Sequence, residues 1–412
     1  MQDRRAIAKL PRRATKIPAE AGIFRIFVLV RRIIFHIDVN SAFLSWTAVK
    51  RVREGGEDLR LIPSVVSGDP NDRRSIITAA SIPAKKLGIK TAQPVSMALR
   101  TCPSLVIVQG DWEWYRTCSR GFIDICRKYS PVLQQFSIDE CFIDMTFRCY
   151  GEDPVAIATR LKDEIRDTLG FTVNIGIGSN KLLAKMASDF EKPDKVHTLW
   201  EEEVPEKMWP LGVRDLLWVG KKTEERLLMY GIKTIGDLAR LDLAALARLV
   251  GRKYAAGLHE NANGRDESPV ETEYPEAKSC SAERTFEKDL SDPKDIDRAL
   301  FRVACIVAHR IRRDHFRAGC VSMFVKYRDF STSQRQCSLA EPTDVTAVIL
   351  NAARGLLPDV WDGSPIRQVG LGVSKLTHDP YEQLSLFEDP RMAYYRDWDR
   401  KYDEGKSGSL NK

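Results

Sequence analysis

No stretch of this 412-residue chain is apolar for long enough to cross a bilayer: the best, Ile23 to Val30, is short and broken by Arg25. It also lacks a small-residue cleavage site, so neither a membrane span nor a secretory leader is expected. There is no C-x-x-C pair, and the nine cysteines are odd in number and scattered from Cys102 to Cys337. That pattern argues against a disulfide framework and a zinc site, and fits a reducing compartment. An excess of one charge is missing too, once the first 32 residues are set aside. Those hold nine Lys/Arg and two acids, and the remainder balances at 55 of each. The net charge of +7 therefore says nothing about the folded part. The basic start itself reads as an overlong reading frame, ahead of a targeting peptide or a phosphate-binding arm.

What is present is ample apolar material, 43% of the chain, enough for about two to three domains. The most informative feature is Ser137-Ile138-Asp139-Glu140, set between apolar runs and matched upstream by Asp38 at the end of IIFHID, Ile33 to Asp38. The upstream run reads as a buried strand delivering a carboxylate at its exit. The stretch Gln134 to Met145 reads as two short strands about a tight turn, with Asp139 and Glu140 at the bend. Adjacent acids repel, and divalent cations held by hard oxygen ligands remove that conflict while bridging to a triphosphate. On spacing alone, polar hairpin residues and a helix cap explain the same three acids equally well.

Along the chain, a strand over 33–38, a helix near 43–53, the two-strand turn near 132–146, a helix near 154–168 and a strand over 171–177 give the order β-α-β-β-α-β. This is the ferredoxin-like arrangement, which lays the first strand beside the central hairpin. Residues 55–110 read as an insertion punctuated by Pro and Gly, and 112–129 as a helix. Over 201–262 a helical block with a Gly hairpin follows, where Gly220, Lys221 and Lys222 at a helix start suit one phosphate, although an ordinary αα-hairpin fits equally. A linker-like stretch, 263–277, leads to a second unit of strand, helix, two strands, helix and strand over 278–376. Its segment Arg298 to Arg335 holds nine Lys/Arg and two acids. Phosphate contact through Arg310, Arg312, Arg313 and Arg317 is favoured there over a solvated helix face. The polar end, 377–412, is expected to be disordered apart from Tyr381 to Phe387, which reads as a docking peptide.

Six motifs in order, HIDVNSAFLSW (His36 to Trp46), FSIDECFIDMT (Phe136 to Thr146), GIGSNKLLAKMASDFEKPD (Gly176 to Asp194), the Gly hairpin, KSCSAERTF (Lys278 to Phe286) and QLSLF, resemble the Y-family translesion DNA polymerases of the bacterial polymerase IV kind. The resemblance implies an α+β, multidomain, right-hand-like polymerase. In it, 33–54 and 111–200 form a ferredoxin-like palm, 55–110 small fingers, 201–262 a helical thumb with a helix-hairpin-helix, and 278–376 an α+β little finger. It implies Asp38, Asp139 and Glu140 as catalytic acids, the Val39 carbonyl as a further ligand, and two Mg²⁺ ions. Phe43 matches the family's steric gate, and Lys85 and Lys185 its triphosphate contacts. Gln383, Leu384, Leu386 and Phe387 match a peptide that docks on the DNA sliding clamp. Ile82 and Lys85 stand where a tyrosine and an arginine are usual, and Asn40 where an aspartate is common. The implied protein is a cytoplasmic monomer acting on primer-template DNA and dNTP with low fidelity and no proofreading. A clamp- and DNA-bound accessory factor without chemistry is the alternative, ahead of a palm-domain nucleotidyl cyclase.

Overall fold

The computed structural model describes residues 31–69, 75–273, 275–378 and 391–410, with side chains to 405. Two compact units hold them: residues through Gly55 with Asp111–Thr272, and Gly56–Gly110 with those from Glu273 on. In chain order come β1 (Ile34–Val39) and α1 (Ala42–Arg53), then β2 (Ser64–Ser67), β3 (Ile77–Ala80), α2 (Ile82–Lys86), α3 (Val95–Thr101) and β4 (Val106–Gln109). The first unit resumes with α4 (Trp112–Tyr129), β5 (Leu133–Gln135), β6 (Glu140–Asp144), α5 (Pro154–Leu169), β7 (Val173–Gly178), α6 (Lys181–Ser188) and β8 (Val196–Leu199). Four helices close it: α7 (Lys221–Met229), α8 (Ile235–Ala239), α9 (Leu243–Val250) and α10 (Arg252–Ala262). The second unit continues through β9 (Ser279–Leu290), α11 (Pro293–Arg313), β10 (Arg317–Tyr327), β11 (Thr332–Thr343), α12 (Thr346–Val360), β12 (Ile366–Thr377) and α13 (Met392–Leu410).

The first sheet runs β5-β6-β1-β7-β8. Its central strand β1 is apolar and buried along nearly its whole length, as expected of a strand covered on both faces. It pairs antiparallel with β6 and β7, so the hairpin expected at 132–146 does lie beside the first strand. Helix α6 packs so tightly on β7 that a Cβ at Gly176 would sit 1.9 Å from the Ala184 carbonyl oxygen. Only glycine permits that approach, and it fixes the height of α6 over the sheet.

Helices α7 to α10 pack around Leu216, Leu227, Leu238 and Leu258 in a core continuous with Leu182, Leu183 and Met186 of α6. In the second unit, β3-β2-β4 forms a small sheet and β11-β10-β12-β9 a larger one. Val321, Met323, Val325, Val369 and Leu371 of the larger sheet pack with Leu300, Val303 and Ile349 from the helices α11 and α12.

One expectation fails beyond residue 390: the polar end is not simply disordered, because α13 is a helix that returns to α11 and α12. Trp398 meets Phe301, and the buried Asp399 accepts from Thr346 N at 3.0 Å and from its hydroxyl. Asp399 thereby caps α12, whose own N-cap residue, Val345, cannot do so. Polar composition concealed this role because Asp399 and Asp403 find their partners, Thr346, Arg312 and His309, within the fold. The docking residues Gln383, Leu384, Leu386 and Phe387 lie outside the described residues.

Candidate active site

The pairing of β1 with β6 sets Asp38 opposite Glu140. One residue on, Val39 N donates to the Asp139 carbonyl at 3.0 Å. Asp38 thus meets the two adjacent acids of the hairpin turn, from far along the chain, at one end of the central strands. The turn closes through Phe136 N and Ser137 N, both donating to the Glu140 carbonyl at 2.9 and 3.1 Å.

Each carboxylate has a different neighbour. Asp139 Oδ1 accepts from Ser137 Oγ at 2.5 Å. Glu140 Oε2 faces His36 Nε2 at 3.0 Å and the Lys185 ammonium at 2.5 Å. Asp38 Oδ2 is paired with Lys192, which also meets Asp189 at 2.8 Å. His36 is fully buried, with Nδ1 2.8 Å from Ser188 Oγ.

These surroundings set the protonation. Burial, with the like charges of Asp38 and Glu140, pushes the Asp139 carboxyl up despite the Ser137 bond. Burial also opposes ionisation of Glu140, but His36 and Lys185 outweigh it and hold its pKa down at about 2. Burial lowers His36, so its imidazole is neutral near pH 7. Opposite an ionised carboxylate, Nε2 must then carry the ring proton and donate to Glu140.

Among the described residues no three Asp, Glu, His or Cys side chains yet surround one point at ligand range. Asp38 and Glu140 are turned instead to two ammonium groups. The donor set still fits divalent cations: hard oxygen atoms gathered at one end of the central strands, with two lysine ammonium groups now balancing Glu140 and Asp38.

Phe43, half-buried on α1, stacks on Tyr115 at 4.9 Å and meets Trp112 edge-on at 5.2 Å. Tyr115 is held by Thr47, hydroxyl to hydroxyl at 2.7 Å. Asn40 donates to Asn174 Oδ1 at 3.0 Å and accepts from Thr172 Oγ1 and Asp194 N. An aspartate could not make the first of these bonds, which accounts for an asparagine here.

Gly220 caps α7, with Lys221 and Lys222 exposed on its first turn. Lys85 is exposed on α2 in the second unit. The four arginines of α11 and the start of β10 separate in role. Arg312 is spent internally, donating to Asp403 at 2.7 and 2.9 Å and to the Asp344 carbonyl at 2.8 Å. This does not suit the phosphate contact expected of it, because a guanidinium committed to buried acids has little left to offer outward. Arg313 is exposed beside Asp314, Arg310 donates to the Ser281 carbonyl, and Arg317 begins β10.

Sequence reasoning missed His36 and Lys192. The strand period carried a signal for the first, since His36 and Asp38 share a face. Lys192 reaches Asp38 across 154 residues of sequence separation, which no local pattern announces.

Residues 37–189 match the impB/mucB/samB family and 277–386 its C-terminal domain. Residues 214–266 match the thumb domain described for DNA polymerase-iota. The chain is 37% identical over 359 residues to DNA polymerase IV of Clostridium acetobutylicum, covering 87% of this chain and 90% of that protein. It is 35% identical to DNA polymerase IV 1 of Bacillus subtilis, covering 86% and 85%. A solved Y-family DNA polymerase chimera of Dbh and Dpo4 shares the fold, with a TM-score of 0.72 at 21% identity, covering 84% of this chain and 99% of that one. The chain belongs to the Y-family, alongside the DNA polymerase IV proteins, and is a DNA-directed polymerase of translesion synthesis.

Proposed function

We propose that Asp38, Asp139 and Glu140 are the catalytic acids of this polymerase, with the Val39 carbonyl as a further ligand, and that the divalent ions of the family's reaction are here two Mg²⁺. The register that sets Asp38 opposite Glu140, one residue from Asp139, carries this reading. When bound, the ions supply Lewis acidity, easing loss of the primer 3′-hydroxyl proton and neutralising the triphosphate and departing pyrophosphate. The chain's own groups do the rest. Lys185 and Lys192 balance the acids until substrate arrives and are then free to take phosphate charge, Lys185 being the triphosphate contact expected from sequence. Phe43, braced by Tyr115 and Trp112, lies under the incoming sugar and excludes a ribose 2′-hydroxyl. Lys85 adds charge for the triphosphate.

Backbone N–H groups at Gly220 and the start of α7, with Lys221 and Lys222, hold a DNA phosphate. Arg310, Arg313 and Arg317 add phosphate contacts from the second unit. Gln383, Leu384, Leu386 and Phe387 dock on the sliding clamp, raising local concentration at the primer end. The protein works as a monomer in the cytoplasm and has no proofreading activity. Primer extension on undamaged and damaged templates tests the reading: synthesis that needs Mg²⁺, with a clamp response lost on deleting 383–387, is expected. Extension undiminished without divalent ions would overturn it.

A further inference from the structure

Trp218 has a conformation that neither its neighbours nor its burial explains. Its φ is +75°, in the left-handed region where a bulky side chain is an outlier. Nearby turns that need positive φ use glycine, at Gly231, Gly251 and Gly264. The ring is not there to fill a core, for it is 63% exposed. The backbone around it is nevertheless firmly held. Leu216 and Val219 are buried on either side, the Trp218 carbonyl accepts from Tyr254 Oη at 2.6 Å, and the Val219 carbonyl accepts from Arg214 at 2.7 Å. The fold thus over-determines a strained position in order to present an indole to solvent, a combination that marks functional sites.

Its surroundings say what the indole meets. The ring lies 6.4 Å from that of Phe136, edge to face. Phe136 donates its N–H to the Glu140 carbonyl, and the Lys185 ammonium sits 5.6 Å over its ring. On the other side Gly220 opens α7, two residues along the chain. Trp218 therefore stands between the acids and a helix start whose first N–H groups have no partner within the helix. We propose that Trp218 is an apolar contact for the DNA strand whose 3′ end reaches the acids, its indole covering the face of a sugar while the start of α7 takes the following phosphate. This rests on Asp38, Asp139 and Glu140 marking where that 3′ end lies. Contact of this kind is indifferent to sequence, because every nucleotide presents the same sugar.

The test is equilibrium binding of a fluorescent primer-template with a dideoxy-terminated primer, without metal or dNTP, to the full chain and its Trp218→Gly and Trp218→Phe variants, with thermal unfolding alongside. The Gly variant should unfold no lower than wild type, since glycine relieves the strain, and should bind about tenfold more weakly. The Phe variant should keep binding within about threefold. A Gly variant that binds like wild type, or Gly and Phe variants equally weak, would overturn the proposal. So would a Gly variant of lower unfolding temperature, which would make Trp218 a packing residue. Because no chemistry is involved, these outcomes are independent of the acids' role. That role fails separately if Asp139→Asn still extends primers.

Discussion

His36 Nε2 lies 3.0 Å from Glu140 Oε2, so a fully buried imidazole stands directly behind one of the three acids. One residue, Ile37, separates His36 from Asp38, and the same pleat that points Asp38 to the site points His36 to the carboxylate across the ladder. The ring is itself fixed by Ser188 at the end of α6. Partners of this kind set the orientation of a ligating carboxylate, and their loss costs about 10–100-fold in metal affinity or activity. His36→Phe, which keeps the ring volume but not the donor, should lower single-turnover extension by about that factor. His36→Gln, whose amide can reach the same oxygen, should recover most of it. Equal rates for the Phe variant and wild type would make His36 a core residue only.

The acids also leave a signature in stability against pH. Burial works against ionised Glu140, but His36 and Lys185 prevail and hold its folded pKa at about 2, below its ordinary 4.5. A depressed carboxyl contributes stability that is complete above the unfolded value and lost as pH falls through the folded one. Asp139, raised first by burial, has the opposite sign: it opposes folding when ionised, and acid relieves that penalty. In metal-free protein, the stability advantage of wild type over Glu140→Gln should shrink between pH 4.5 and about 2, by on the order of 3 kcal/mol. Thermal unfolding of both proteins across that range reads it, and parallel curves would contradict it.

Asp399 offers a test far from the site. It is 3% exposed, caps α12 through Thr346, and lies 3.2 Å from Arg312. Asp399→Ala would leave a buried N–H without its acceptor, and Arg312 without one of its acids, at a cost of about 1–3 kcal/mol. The expected result is a lower unfolding midpoint for the second unit by calorimetry, with extension by the first unit's site intact at low temperature. An unchanged midpoint would mean that α13 adds nothing to that unit.

The pattern of the first unit was readable because β1 and the 132–146 hairpin carry local signals: β-branched runs, then acids at the ends. The contacts that complete the site were not. Lys192 and Ser188 reach β1 from more than 150 residues away, and Asn40 makes sense only beside Asn174. Helix α13 was misread for a related reason. Asp399 and Asp403 look like solvent-facing residues in sequence, yet Thr346, Arg312 and His309 are waiting for them. Arg312 reads as outward-facing in sequence on the same grounds. Charge content shows that partners are needed, but not whether the chain or the DNA provides them.

The central claim is that Asp38, Asp139 and Glu140 carry the chemistry. Single-turnover extension of a bound primer-template at saturating dNTP and Mg²⁺, comparing wild type with the Asp139→Asn, Glu140→Gln double variant, tests it most directly. A fall of about a thousandfold or more with DNA affinity unchanged is the expected result, since the acids place several kcal/mol of charge stabilisation in the transition state. Extension at the wild-type rate would contradict the account.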